Sequence, residues 1–151
     1  MRMPLAIAAL CLSAFAARGE DQAGVKWDQL RPDNRVSAQM LCGLSMLMFV
    51  QEVVGQCHLH SLSIDDARER AIHRIEDFVS ANSSQRPSMS VFVEMRRAIG
   101  ENFRKSTDHR VCSDPSFDKW WRGGTPAELD ASVEKMLTTT FDPNRRIPCG
   151  R

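Results

Sequence analysis

The chain has 151 residues, of which 26% are charged, and its formal net charge is +1. This length suits one domain with a single hydrophobic core. Arg2 belongs to the signal peptide that we predict for residues 1–16. Without it the chain has 20 − 1 = 19 basic and 19 acidic residues. A neutral mature chain excludes the basic stripe of a nucleic-acid-binding protein and a purely electrostatic attachment to membranes.

Residues 1–16 have the three parts of a secretory signal peptide. Arg2 supplies the positive start, residues 4–17 are uncharged and mostly apolar, and Ala14 and Ala16 are small residues where signal peptidase reads them. The apolar run is shorter than the roughly 20 residues that span a bilayer. We therefore expect cleavage after Ala16 and a single helical domain over residues 17–151. This domain would be periplasmic or secreted, without stable membrane insertion.

The first predicted helix runs from Val36 to Leu59, after a polar segment that ends in the turn Arg31-Pro32-Asp33-Asn34. Its apolar residues cover most of the circumference, which is typical of a helix buried on all sides. The unbroken apolar stretch is too short to cross a membrane. We expect this helix to be the central element of a bundle.

Three further helices are predicted from apolar residues at helical spacing. The second has Ser63 as its N-cap, with Asp65 and Asp66 near the positive end of the helix dipole. The fourth follows Thr125-Pro126-Ala127-Glu128, a capping box with proline at the first helical position. Strand signals are nearly absent, so the fold class is all-α, a small disulfide-stapled bundle of four main helices. The predicted bounds are Ile64–Ala81, Ser88–Lys105 and Pro126–Thr140, with a short helical turn over Pro115–Trp121.

Four cysteines remain once the leader, which contains Cys11, is removed. An even count in an exported chain favours two structural disulfides, and no pair has the C-x-x-C spacing of zinc or redox sites. Cys42 and Cys57 would lie about 22 Å apart on one helix, whereas a disulfide needs Cα atoms within about 7 Å. Antiparallel neighbouring helices then predict the pairs Cys57–Cys112 and Cys42–Cys149.

Glu52 is the one formally charged residue between Arg35 and Asp65. A carboxylate on so apolar a helix can be a buried functional acid. Alternatively it belongs to a narrow polar stripe, because Ser45 and Gln56 lie within about 40° of it at 100° per residue. The angles favour the stripe, and a buried arginine partner from the third helix is the intermediate case.

Histidine and carboxylate residues on the second helix raise the question of a metal site. His73 follows Glu69 by four residues, a spacing that places two side chains next to each other. Both lie with Asp66, Glu76 and Asp77 opposite the apolar stripe, which predicts a solvent-exposed face. Methionines at helical spacing are typical of core packing. We expect no metal and no cofactor.

The strongest candidate for a binding surface is the segment from Phe117 to Gly124. Trp120 and Trp121 would point about 100° apart on a helix, so they cannot easily share one buried direction. Lys119 and Arg122 flank them, and tryptophan and arginine are enriched in binding hot spots. Two interpretations stay open: one tryptophan is exposed for binding, or both pack onto the bundle.

The order of cysteines and helices resembles a known family. Cys42 opens a helix, Cys57 precedes the helix that starts at Leu62-Ser63-Ile64, and a helix over residues 98–103 leads to Cys112. This order is similar to that of small exported immunity proteins of the Rap1a/Tai type, which are compact helical domains with disulfides. The resemblance implies a periplasmic protein that blocks a type VI secretion effector.

The sequence contains neither a G-x-S-x-G motif nor a glycine-rich phosphate-binding loop. We therefore predict a non-catalytic exported helical protein that binds another protein of the cell envelope, as an inhibitor, accessory protein or chaperone. One alternative is a Rap1a/Tai-like immunity protein. The other is a small secreted enzyme that uses Glu52 and arginine side chains in a pocket between helices.

Overall fold

The computed structural model describes residues 27–59, 62–105, 109–117 and 124–139. Over these ranges the protein is all-α without a β-strand, which confirms the predicted fold class. The predicted signal peptide and the bounds of the mature domain lie outside the described residues. The main helices are α1 (Ala38–Gln56), α2 (Leu62–Asn82), α3 (Met89–Lys105) and α4 (Pro126–Thr138), accompanied by 3₁₀ turns at Trp27–Leu30 and His109–Ser113.

Helix α1 is the most apolar of the four main helices, and apolar residues surround most of its axis. It begins at the N-cap Ser37, whose side chain accepts a hydrogen bond from the backbone N–H of Met40. It packs along both α2 and α3. Contrary to the expectation from its unbroken apolar stretch, α1 is long and apolar enough to cross a membrane, a property shared by core helices of soluble proteins. Its buried residues are Met40, Leu44, Ser45, Met48, Phe49, Val50, Val53 and Val54.

The other helices begin close to their predicted positions. Helix α2 begins at Leu62, so Ser63 lies in its first turn and the prediction of Ser63 as the N-cap is wrong. Asp65 remains in the first turn, where the helix dipole favours a negative charge. At α4 the capping box is present, because Thr125 and Glu128 each accept a hydrogen bond from the other's backbone N–H.

Helix α4 lies parallel to α2 and antiparallel to α1. Two ion pairs join α2 to α4 at the same sequence offset, Arg70 with Asp130 and Arg74 with Glu134. At the end of α4, the methyl group of Met136 lies against Gly43 near the start of α1. This arrangement brings the C-terminal end of α4 near the start of α1, as the predicted pair Cys42–Cys149 requires.

The core has two adjoining apolar clusters. The larger one joins the 3₁₀ turn at Leu30 to α1, α2, α3 and Val133 of α4. The smaller one surrounds the C-terminal end of α1, where the rings of Phe49 and Phe103 meet edge to face at 6.1 Å between centroids. Phe117 is fully buried in this second cluster. Burial of each such side chain contributes about 1.5–3 kcal/mol.

Candidate functional site

One predicted disulfide is present at the C-terminal end of α1. Cys57 and Cys112 are bonded, with their Cα atoms 5.3 Å apart, which confirms this pairing. Cys42 is also disulfide-bonded. Its predicted partner Cys149 lies outside the described residues, so the pair Cys42–Cys149 stays a prediction.

The predicted binding residues Lys119, Trp120, Trp121 and Arg122 lie outside the described residues. The structure does describe the residues on both sides of this six-residue segment, 118–123. Residues 115–117 are helical and end in the buried side chain of Phe117. On the other side, the capping box at Thr125 fixes the start of α4. The residue before the segment is therefore anchored in the core, and a capped helix begins directly after it.

A groove of about 570 Å³ lies between α1, α2 and α4, and Gly124 and Thr125 contribute to its lining. The α1 wall has the spacing i, i+3, i+4, i+7 of one helix face, and the facing wall follows the same periodicity along α4. Its volume falls within the range of ligand pockets, roughly 300–1,000 Å³. The residues that line it are Gly43, Met46, Leu47, Val50, Ile64, Arg68, Gly124, Thr125, Glu128, Leu129, Ser132, Val133 and Met136.

The groove is mostly apolar, with one buried cation at its side. The Arg68 guanidinium donates hydrogen bonds of 3.0 Å to Gln51 and to Asp65. At the opposite end, Met136 closes against Gly43, where a side chain would collide with the Met136 methyl group at 2.8 Å. Methionine is flexible, so this end of the groove can change shape.

Sequence reasoning missed this groove. The apolar pattern of this helix predicts burial on all sides. On the face from Gly43 to Val50, however, Met46 and Leu47 are only half-buried. The sequence of α4 does contain a sign of the groove, because polar Glu128 and Ser132 alternate with apolar Leu129 and Val133 at helical spacing. That pattern indicates a helix with one edge in solvent, although it does not specify the helix that faces the edge.

Glu52 lies at the joint between α1 and α3. Its carboxylate packs against Gly100, where an added Cβ would lie 2.6 Å from the Glu52 Oε2 atom. One turn further on, the Gln56 side-chain amide donates a 3.1 Å hydrogen bond to the Gly100 carbonyl. Within the described residues no ion pair joins Glu52 to an arginine. This geometry agrees with the polar-stripe interpretation, and Glu52 does not line the groove.

The predicted solvent-exposed face of α2 is partly buried. Asp66 and Asp77 are exposed as expected. Glu76 is different, because its side chain is 4% exposed and lies between His73 of its own helix and Arg96 of α3. The prediction that Glu76 faces solvent is therefore wrong. Among the described residues, no group of three histidine, cysteine or carboxylate side chains has the arrangement of a metal site.

The pKa values of two carboxyl groups are shifted in opposite directions. Burial raises the pKa of Glu76, and the hydrogen bond with His73 and the positive charge of Arg96 offset this only in part. Partial burial also acts to raise the pKa of Asp33. There, however, hydrogen bonds from the backbone N–H groups of Ser84, Arg35 and Val36 dominate, and they hold the pKa well below its usual range.

The fold and the groove define a small, disulfide-linked, all-α bundle with an apolar site between three of its helices. No family model, curated protein or solved structure matches the chain.

Proposed function

We propose that the protein is an exported, non-catalytic helical domain that binds another protein of the cell envelope. Its binding surface would comprise residues 119–122 and the adjoining groove between α1, α2 and α4. The Cys57–Cys112 disulfide supports an oxidising compartment, since such bonds persist outside the cytoplasm.

The observation that carries this proposal is that the groove is lined by Gly124 and Thr125, the residues that follow the Trp-Arg segment in the sequence. The segment is held by buried Phe117 at one end and by the Thr125 capping box at the other, and Gly124 at its end already lines the groove. A segment fixed at both ends loses less conformational entropy when it binds. Tryptophan and arginine in such a position have the composition of a hot spot.

The groove supplies the apolar half of the surface. Its walls present Met46 and Leu47 on one side and Leu129 and Met136 on the other, all of them half-buried. A groove with walls of this kind can accept an amphipathic helix, which inserts side chains at i, i+3, i+4 and i+7. A Rap1a/Tai-like immunity role is one specific form of this function and remains a prediction. The geometry around Glu52 gives no specific support to the enzyme alternative.

Site-specific photo-crosslinking in the native envelope tests the proposal. A photoreactive amino acid replaces Met46 in the groove or Trp121 in the loop of the full chain. Val93 on α3 is the matched control, because it is 62% exposed and does not line the groove. We expect Met46 and Trp121 to crosslink to the same protein and Val93 to crosslink to none.

Binding of that crosslinked protein, once purified, then measures the contribution of the loop. The double variant Trp121→Ala plus Arg122→Ala should weaken its affinity by about tenfold or more, as for hot-spot residues. Equal affinity of the wild type and the double variant would remove residues 119–122 from the surface. The absence of a shared crosslink at Met46 and Trp121 would overturn the proposed function.

A further inference from the structure

Four ionisable side chains form a cluster between α2 and α3, on the side of α2 away from the groove. Arg96 of α3 donates a 2.8 Å hydrogen bond to Glu69 and lies 4.0 Å from Glu76. His73 bridges the same two carboxylates, at 3.4 Å from Glu69 and 3.0 Å from Glu76. Within the described residues, no ion pair joins Glu76 to α1 or α4. The cluster is a polar link between two helices that otherwise touch little.

The positive groups of this cluster are poorly placed to compensate a buried negative charge. The Glu76 side chain is 4% exposed, whereas His73 is 57% exposed and Arg96 is 28% exposed. Water therefore screens the two partners more than it screens Glu76. Arg96 is also nearer to Glu69 than to Glu76. When both carboxylates are ionised and His73 is neutral, one guanidinium faces two negative charges.

We propose that this cluster is a proton-responsive joint between α2 and α3, which is held more firmly when Glu76 carries a proton than when it is ionised. A protonated Glu76 is buried without a charge and still shares a hydrogen bond with His73, since the two atoms lie 3.0 Å apart. Ionisation places a charge between the helices and draws water toward the joint.

The pH dependence has a definite sign. A carboxyl with a raised pKa in the folded protein contributes stability that is fully present below the pKa of the unfolded chain, about 4.3 for glutamate. This contribution is lost as the pH rises through the folded-state pKa. We therefore expect the joint to be firmest in mild acid and weaker at neutral pH.

Urea unfolding of the full mature protein, from about pH 4.5 to about pH 7.5, tests the proposal. Over this range the unfolding equilibrium constant of the wild type should rise with pH through the ionisation of Glu76. Glu76→Gln, which keeps the shape and the hydrogen bond, should lose this part of the pH dependence. Glu101→Gln, which removes a carboxylate of α3 outside the cluster, should retain it. An identical pH dependence in the wild type and Glu76→Gln would overturn the proposal.

A second measurement needs no variant of the cluster. Carbon-13 NMR of the glutamate carboxyl groups in the wild-type protein follows each titration directly. Glu76 should titrate above the ordinary range of a glutamate, about 4.3. Titration of Glu76 at or below the ordinary glutamate value of about 4.3 would overturn the proposal, whatever the stability of the variants.

Discussion

The two ends of the bundle are stabilised by different interactions, a disulfide at one end and hydrogen bonds to a carboxylate at the other. At the end where α1 stops and α3 stops, a disulfide joins Cys57 to Cys112, and apolar side chains pack around it. At the opposite end, where α1 and α3 start, the carboxylate of Asp33 accepts hydrogen bonds from Arg35 and Val36 on one oxygen. Its other oxygen accepts them from the 83–84 turn. In both cases a segment outside the helices is tied to the bundle.

The disulfide acts mainly on the unfolded state of the chain, whereas the Asp33 hydrogen bonds act on the folded state. A disulfide stabilises mainly by restricting the unfolded chain, so the Cys57–Cys112 bond is insensitive to acid. The Asp33 hydrogen bonds exist in the folded state and depend on an ionised carboxylate. The first end is therefore vulnerable to reduction and the second to low pH. Variants at each end separate these two effects.

The largest expected effect is the removal of the Cys57–Cys112 bond. Because the two cysteines are 55 residues apart, the chain-entropy model assigns the crosslink about 4 kcal/mol. The double variant Cys57→Ala plus Cys112→Ala should lose about this amount of unfolding free energy, measured by urea denaturation of the oxidised proteins. A loss below about 1 kcal/mol would show that packing of Phe117 and Phe103 alone holds this end.

The opposite end should respond to the loss of Asp33. Asp33→Ala leaves the donors of Ser84, Arg35 and Val36 without their acceptor, and we expect a loss of about 2–3 kcal/mol at neutral pH. Asp33→Asn is the matched control, since it keeps the size and one acceptor oxygen and should lose less. A stability of Asp33→Asn equal to that of the wild type would mean that the charge of Asp33 contributes nothing.

Acid should remove the same contribution from the wild type. Since the pKa of Asp33 is lowered in the folded protein, its contribution is present above the unfolded-state pKa, about 3.9, and is lost as the pH falls below it. The stability difference between the wild type and Asp33→Asn should therefore shrink as the pH falls below about 4. A difference that stays constant in acid would contradict the lowered pKa.

A smaller effect tests the packing near the disulfide end. Gly100→Ala would place a methyl group 2.6 Å from the Glu52 Oε2 atom, and displacement of this flexible side chain should outweigh the gain in helix propensity only slightly, so we expect a destabilisation of about 1 kcal/mol or less. Gly55→Ala in α1 is the matched control, because nothing lies within 4 Å of its added Cβ. That variant should stabilise by about 0.5–1 kcal/mol through helix propensity. Similar thermal unfolding of the two variants would mean that Glu52 moves away without cost.

The features that sequence reasoning predicted correctly are those with local or length-based signals. The capping box at Thr125 is local, and the Cys57–Cys112 pair follows from helix length and short connections. Burial of Glu76 was missed because the helical angle places it opposite the apolar stripe of α2, while Arg96 approaches from another helix. The Asp33 hydrogen bonds connect residues about fifty positions apart, and no periodic pattern marks such a contact.

The smallest expected effect concerns the backbone at each end. His58 beside the disulfide and Arg86 beside the Asp33 turn both have a positive φ, 55° and 45°, a conformation that favours glycine. At His58 the chain also makes the two hydrogen bonds of a helix C-terminal cap, from His58 N–H to Gly55 and from Leu59 N–H to Val54.

His58→Gly and Arg86→Gly should each raise the unfolding free energy by about 0.5 kcal/mol or less, because relief of strain exceeds the added flexibility of the unfolded chain. If the disulfide already limits the unfolded chain near residue 58, His58→Gly adds less freedom there and should stabilise more than Arg86→Gly. The reverse order in thermal unfolding would mean that the crosslink does not restrict its own neighbourhood.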